Sequence, residues 1–72
     1  MDSSAFGAKL TLVLKALSLS RARLAAELSV DKSLVGRWAS GAVTPSTYNL
    51  ERLTAHIAKA RPDFTLLDWD LE

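Results

Sequence analysis

The sequence has no cysteine, one histidine, three glycines and two prolines in 72 residues. Each scarcity closes off a class of protein. Without cysteine there is no disulfide framework of the kind many small secreted domains rely on, and a single histidine leaves the usual structural zinc sites without ligands. The most apolar run, Leu10 to Leu19, carries Lys15 and falls far short of the roughly 20 residues a bilayer span needs. No convincing small-residue cleavage site accompanies it, so neither a signal peptide nor an anchor is expected. The expectation is a cytoplasmic protein whose gene product starts at Met1.

Strand formers are also scarce. Val and Ile supply five residues, whereas Leu supplies 13 and Ala 11, a bias toward straight-chain helix formers that predicts an all-α fold. A chain this short buries only about 60% of the surface its unfolded form exposes, so it must commit nearly every large side chain to one core. That leaves no room for a deep catalytic cleft.

Charge is balanced overall but not along the chain. Residues 1 to 62 hold all nine basic residues and four acidic ones, a balance of +5. Residues 63 to 72 hold Asp63, Asp68, Asp70 and Glu72 and no base, a balance of −4. The division suggests a basic domain over 1–62 followed by an acidic, apolar segment over 63–72. A basic body permits an anionic partner without requiring one.

Periodicity and punctuation organise the body. Phe6, Leu10, Val13, Leu14 and Leu17 lie on one face of a helix starting near Ser3 or Ser4. Ser20 suits the N-cap of a second helix over Arg21 to Leu28, with Leu24, Ala25 and Leu28 as its apolar positions. Asp31 suits the N-cap of a third, Lys32 to Ala39, with Val35 and Trp38 inward and Gly41 as a left-handed terminator. Thr44 or Ser46 starts a fourth helix with Leu50, Leu53 and Ile57 on one stripe, and Pro62 must interrupt it. In the last segment Phe64, Leu66, Leu67, Trp69 and Leu71 are too many apolar residues for one face. They fit a segment that either wedges into its own core and a partner's or awaits more protein beyond Glu72.

Two short helices joined by a three- or four-residue turn form a helix-turn-helix unit, here about residues 21–40. With Leu24, Ala25, Leu28, Val30, Val35 and Trp38 buried, the third helix presents Lys32, Ser33, Gly36, Arg37 and Ser40 outward. That stripe is basic and hydroxyl-bearing, and it has the width of a DNA major groove. Arg37, and less rigidly Lys32, can donate to guanine O6 and N7. Gly36 costs up to about 1 kcal/mol inside a helix relative to Ala, and close approach of backbone to DNA is one reason to keep it.

At these residues the chain resembles the lambda-repressor-like, Cro and xenobiotic-response-element type regulators of bacteria and phages. The resemblance covers roughly residues 6 to 58. It rests on Leu10 and Val13, Leu19-Ser20, Leu24-Ala25, Val35-Gly36-Arg37-Trp38 with Gly41, and Pro45-Ser46 followed by Leu50 and Leu53. It implies a compact five-helix domain whose third helix reads bases in the major groove, acting as a homodimer on a palindromic operator in double-stranded DNA. Carried onto this chain, it makes Lys32, Ser33 and Arg37 base-contacting and Gly36 a close-approach point. Arg21 and Ser40 become phosphate contacts. The hydroxyls of Ser20, Thr44 and Ser46 complete the candidate phosphate-contacting set, and in the apolar tail, beyond the resemblance, Phe64, Leu66, Leu67, Trp69 and Leu71 are the candidates for the dimer surface.

The chain departs from that family's pattern at three places. Ser29 stands where the family prefers Gly and would have to accept a left-handed backbone. Residues 42 to 46 read Ala-Val-Thr-Pro-Ser, leaving only amides and hydroxyls where relatives often carry a base. Leu14 and Ala39 stand where many relatives place an ion pair, so packing replaces charge.

Other readings of single residues weigh against function. Trp38 lies on the buried side with Val35 and reads as core. Leu34 could pack near the turn or meet a thymine methyl, and Tyr48 could pack at a rim or donate to phosphate. His56 has no second ligand near it in sequence, so no metal or catalytic role is expected. Ser29-Val30-Asp31-Lys32 matches the S-x-x-K pattern of serine acyl enzymes, but the companion motifs are missing. With no phosphate-cradling glycine loop and no paired carboxylates, neither an enzyme nor a cofactor or metal is expected. The competing reading is a helical protein-interaction module that uses the apolar C-terminal segment and binds little or no DNA.

Overall fold

A computed structural model describes residues 2–70. Its first helix, α1 (Ser3–Ala16), starts where the extended Asp2 turns its carboxylate onto the Ser4 N–H, 3.1 Å away. This satisfies one of the amide donors that a helix start leaves unpaired. Phe6, Leu10 and Leu14, four residues apart, are buried along one face. The periodicity places Leu17 in the same helix, but α1 ends one residue before it.

The ending of α1 is repeated twice. The Ser18 N–H bonds the Lys15 carbonyl at 3.1 Å, the Leu19 N–H bonds the Leu14 carbonyl at 2.9 Å, and Ser18 itself takes φ +53°. This pair of bonds around a left-handed residue is a Schellman motif. At the end of α2 (Arg21–Leu28), Ser29 N–H to Ala26 and Val30 N–H to Ala25 form it again, with Ser29 at φ +56°. At the end of α3 (Lys32–Ser40), Gly41 N–H to Trp38 and Ala42 N–H to Arg37 form the third, with Gly41 at φ +84°. Ser29 and Gly41 take the left-handed backbone expected of them. Ser18 does the same with no such expectation attached to it.

The helix α4 (Thr47–Ala58) starts at Ser46, whose hydroxyl accepts from the Asn49 N–H at 3.2 Å; of the two candidates, Ser46 and not Thr44 is the N-cap. It ends four residues before Pro62 and frays through bonds from Ala60 and Arg61 to the Ile57 carbonyl. No strand occurs among the described residues.

The core is one cluster. Phe6, Leu10, Leu24, Val35 and Leu53 are fully buried, Trp38 and Ile57 nearly so, with Ala25 and Ala39 packed beside them. The crossing of α1 over α3 depends on Gly7. A Cβ placed there would lie 2.7 Å from the Ala39 carbonyl oxygen and 2.8 Å from both the Trp38 carbonyl oxygen and the Gly41 nitrogen. Those are backbone atoms that cannot rotate away, so only hydrogen at position 7 lets the two helices meet so closely.

The resemblance implied five helices, and here the structure corrects the expectation. Four α-helices are followed by a five-residue 3-10 helix, Leu66–Asp70. Pro62 separates this segment from α4, and Asp68 turns its carboxylate back onto the Thr65 N–H, which favours a tight turn at its start. Its anchor is Trp69, 3% exposed, whose ring stands 4.7 Å from that of Phe6 and edge-on to Phe64 at 5.1 Å. The indole N–H donates to the Thr54 hydroxyl at 2.8 Å, and that hydroxyl donates to the Leu50 carbonyl at 2.7 Å. The buried tryptophan therefore keeps no unsatisfied polar atom.

Candidate nucleic-acid interface

The outward face of α3 follows from which of its residues the core takes. Val35, Trp38 and Ala39 are buried, and Leu34 is partly buried against the same cluster. At 100° per residue, positions 32, 33, 36, 37 and 40 share one arc of about 140°, and positions 35, 38 and 39 fill the arc opposite. Lys32, Ser33, Arg37 and Ser40 are exposed along it and Gly36 is half-buried. The two cationic tips thus share a face with the hydroxyls, and among the described residues neither is in an ion pair.

Gly36 differs from Gly7 in the space around it. A Cβ at position 36 would meet nothing within 4 Å, so no packing inside the chain requires glycine there. Replacing it with Ala should favour the helix by up to about 1 kcal/mol on propensity alone. The middle of this face therefore carries backbone with no side chain over it.

The turn that aims α3 is short and firmly held. Ser29, Val30 and Asp31 connect the helices, and the Asp31 carbonyl accepts from the Leu34 and Val35 N–H groups at 3.0 and 3.3 Å. Asp31 is the N-cap as expected but makes no side-chain capping bond. Support arrives from α4. The Arg52 guanidinium donates to the Leu28 carbonyl at the end of α2 and lies 5.3 Å from the Tyr48 ring centroid. One turn on, His56 Nε2 lies 3.2 Å from the Glu27 carboxylate. Both contacts brace the end of α2 just before the turn. In sequence Arg52 and His56 fall only on a polar face, because a partner on another helix leaves no local pattern.

The five expected phosphate contacts differ in what they have left to offer. Ser20 and Ser46 accept from the Arg23 and Asn49 N–H groups at 3.0 and 3.2 Å, which leaves each hydroxyl hydrogen available to donate. Arg21 is exposed at the first position of α2. Ser40 already donates to the Arg37 carbonyl at 3.2 Å, and the Thr44 hydroxyl pairs with that of Ser3 at 2.5 Å. Ser40 must give up its bond to reach any other acceptor, whereas Thr44 can keep its own as the acceptor from Ser3 and still donate.

The expected dimer surface is only partly a surface. Trp69 is corrected outright: it is buried in the core of its own chain, because its ring and its indole N–H both find partners there. Phe64 is half-buried against the same ring. Leu66 and Leu67 are 45% and 75% exposed, and Leu71 lies outside the described residues.

No helix among the described residues is long and apolar enough to cross a membrane, and no three of their His, Asp or Glu side chains gather as metal ligands would. Comparison with known proteins finds no matching family model, no matching curated protein and no matching solved structure.

Proposed function

We propose that this chain is a sequence-specific DNA-binding transcriptional regulator with a lambda-repressor-like fold, in which α2, the Ser29–Asp31 turn and α3 act as a helix-turn-helix. The observation that supports it most directly is the α3 face: two cations in no ion pair among the described residues, two hydroxyls and a bare glycine on one arc, opposite the residues the core uses. Set into a major groove, Arg37 donates to guanine O6 and N7, Lys32 and Ser33 reach neighbouring base edges, and Gly36 lets the backbone approach. Arg21 and the hydroxyls of Ser20 and Ser46, at the starts of α2 and α4, face phosphates, where helix N–H groups and partial positive charge add to them. A homodimer joined through Leu66 and Leu67 keeps the acidic residues of the tail away from phosphate and sets two α3 helices about 34 Å apart, on a palindromic operator.

The experiment is selection of bound duplexes from a random pool by the purified chain, followed by titration of the selected sequence. A palindromic consensus is expected. Lys32→Ala and Arg37→Ala should each lower specific affinity by about 1–3 kcal/mol while thermal unfolding stays within about 0.5 kcal/mol. With about three phosphates neutralised per subunit, the logarithmic salt slope of the dimer should be near −5. No enrichment, or a slope near zero, overturns the proposal. The exposure of Leu66 and Leu67 also suits the competing reading, a protein-interaction module; retained partner capture with no DNA shift at any salt would favour that reading.

A further inference from the structure

A cavity of about 440 Å³ opens where the α1–α2 turn, α2 and the last turn of α4 meet. It uses none of the α3 face. Its volume falls within the about 300–1,000 Å³ typical of small-molecule sites. One wall is apolar, formed by the half-buried Leu17 and Leu19, and the other carries Arg23, Glu27, His56 and Lys59.

The polar wall has an excess of donors. Glu27 is bracketed, with its Oε2 3.2 Å from His56 Nε2 and 3.8 Å from Arg23 Nε, so this oxygen is engaged on two sides. Arg23 is 73% exposed and turns only its Nε toward that carboxylate, which leaves the rest of its fork free. Lys59 is exposed and contributes three more donors. Both α1 and α4 end at this cleft, where the Val13, Leu14, Lys15, His56 and Ile57 carbonyls accept bonds from the Leu17, Ser18, Leu19, Lys59 and Ala60 N–H groups. The side-chain capacity left to a ligand is mainly to donate, from Arg23 and Lys59. Ser18, the second non-glycine residue in the left-handed region, forms part of the rim and holds the apolar wall at this angle.

We infer that this cleft is a binding site for a small organic monocarboxylate with an apolar body. The carboxylate is taken by the Arg23 fork and the Lys59 ammonium, and the body lies on Leu17 and Leu19. Charge-assisted donors of this kind bind a planar carboxylate more strongly than neutral ones do. A cation at the same place meets two like charges and a carboxylate that is already engaged.

The test is a titration of the full 72-residue chain with benzoate, followed by amide nuclear magnetic resonance. Saturable shifts are expected at residues 17–19, 23, 27, 56 and 59, and not along α3. Combining Arg23→Ala with Lys59→Ala removes two exposed side chains and should weaken benzoate by about tenfold or more with the amide spectrum otherwise intact. Absence of saturable shifts, shifts lying elsewhere, or unchanged affinity in the double variant each overturn the site. Equal binding of benzylamine overturns the assigned charge, and equal binding of inorganic phosphate overturns the role of the apolar wall. None of these measurements involves DNA, so the outcome is independent of the proposed function.

Discussion

Between Arg21 and Ser40 the helix starts and endings are closed by bonds within a few residues, with α4 bracing only the end of α2, whereas between Asp63 and Asp70 the chain depends on one distant anchor. Ser20 caps α2, Ser29 and Gly41 end α2 and α3 in the same left-handed motif, and Val35 and Trp38 fall inward by spacing alone. In the C-terminal segment Asp68 closes a local turn, but the position of that turn is decided by Trp69 against Phe6 and Thr54. The helix pair can therefore leave an entire face free of structural work, and that face is where charge and bare backbone collect. The tail spends its best apolar residue on the core and shows solvent only what is left, Leu66 and Leu67.

Removing the anchor should have the largest effect. Trp69→Ala should cost about 3–5 kcal/mol in denaturant unfolding, from lost ring burial and cavity formation. For a domain of this size, whose total stability is of order 0.05–0.15 kcal/mol per residue, that is a large fraction. A cost below about 1 kcal/mol, comparable to an exposed site, would mean the tail is not held as described.

Gly7→Ala comes next, at about 1–3 kcal/mol, because the added methyl meets α3 backbone and the two helices must separate. It should be compared with Gly36→Ala, which meets nothing and should be neutral or slightly stabilising in the same melt. Equal costs at the two positions would remove the distinction between a packing glycine and an unpacked one.

A smaller change of opposite sign is expected at the turn. Ser29→Gly relieves an L-residue from the left-handed region, worth about 1–2 kcal/mol, but adds freedom to the unfolded chain, so a net gain of about 0.5 kcal/mol should appear in the melting curve. The smallest stability effect belongs to the outer surface of the tail. Leu66→Ser combined with Leu67→Ser should leave unfolding within about 0.5 kcal/mol while weakening self-association in sedimentation. Unchanged self-association would move the proposed dimer seam elsewhere.

Several of these positions are legible in the order of residues alone, and the reason is the short range of the interactions involved. Periodicity marks the buried faces of α2 and α3, and a hydroxyl or carboxylate before an apolar run marks the helix starts at Ser20 and Asp31, while for α4 it leaves Thr44 and Ser46 both open. The penalty of glycine within a helix is a usable signal at Gly36. It is equally present at Gly7, but no motif surrounds that residue to say which helix it meets. Trp69 shows the limit most plainly. Five apolar residues in ten cannot share one face, but nothing in their order says which of them turns inward.

What the amino-acid order determined by itself are features whose partners lie within about one or two helical turns: the caps at Ser20 and Asp31, the left-handed endings at Ser29 and Gly41, and the division of α3 into an inward and an outward arc. The tertiary structure alone decided the rest: the closeness of α1 to α3 at Gly7, the bracing of Leu28 by Arg52 across 24 residues, and the bond from Trp69 to Thr54 across 15. Such contacts depend on which surfaces meet once the helices have formed. That outcome is set by the packing of all the surfaces together, and no single stretch of chain encodes it.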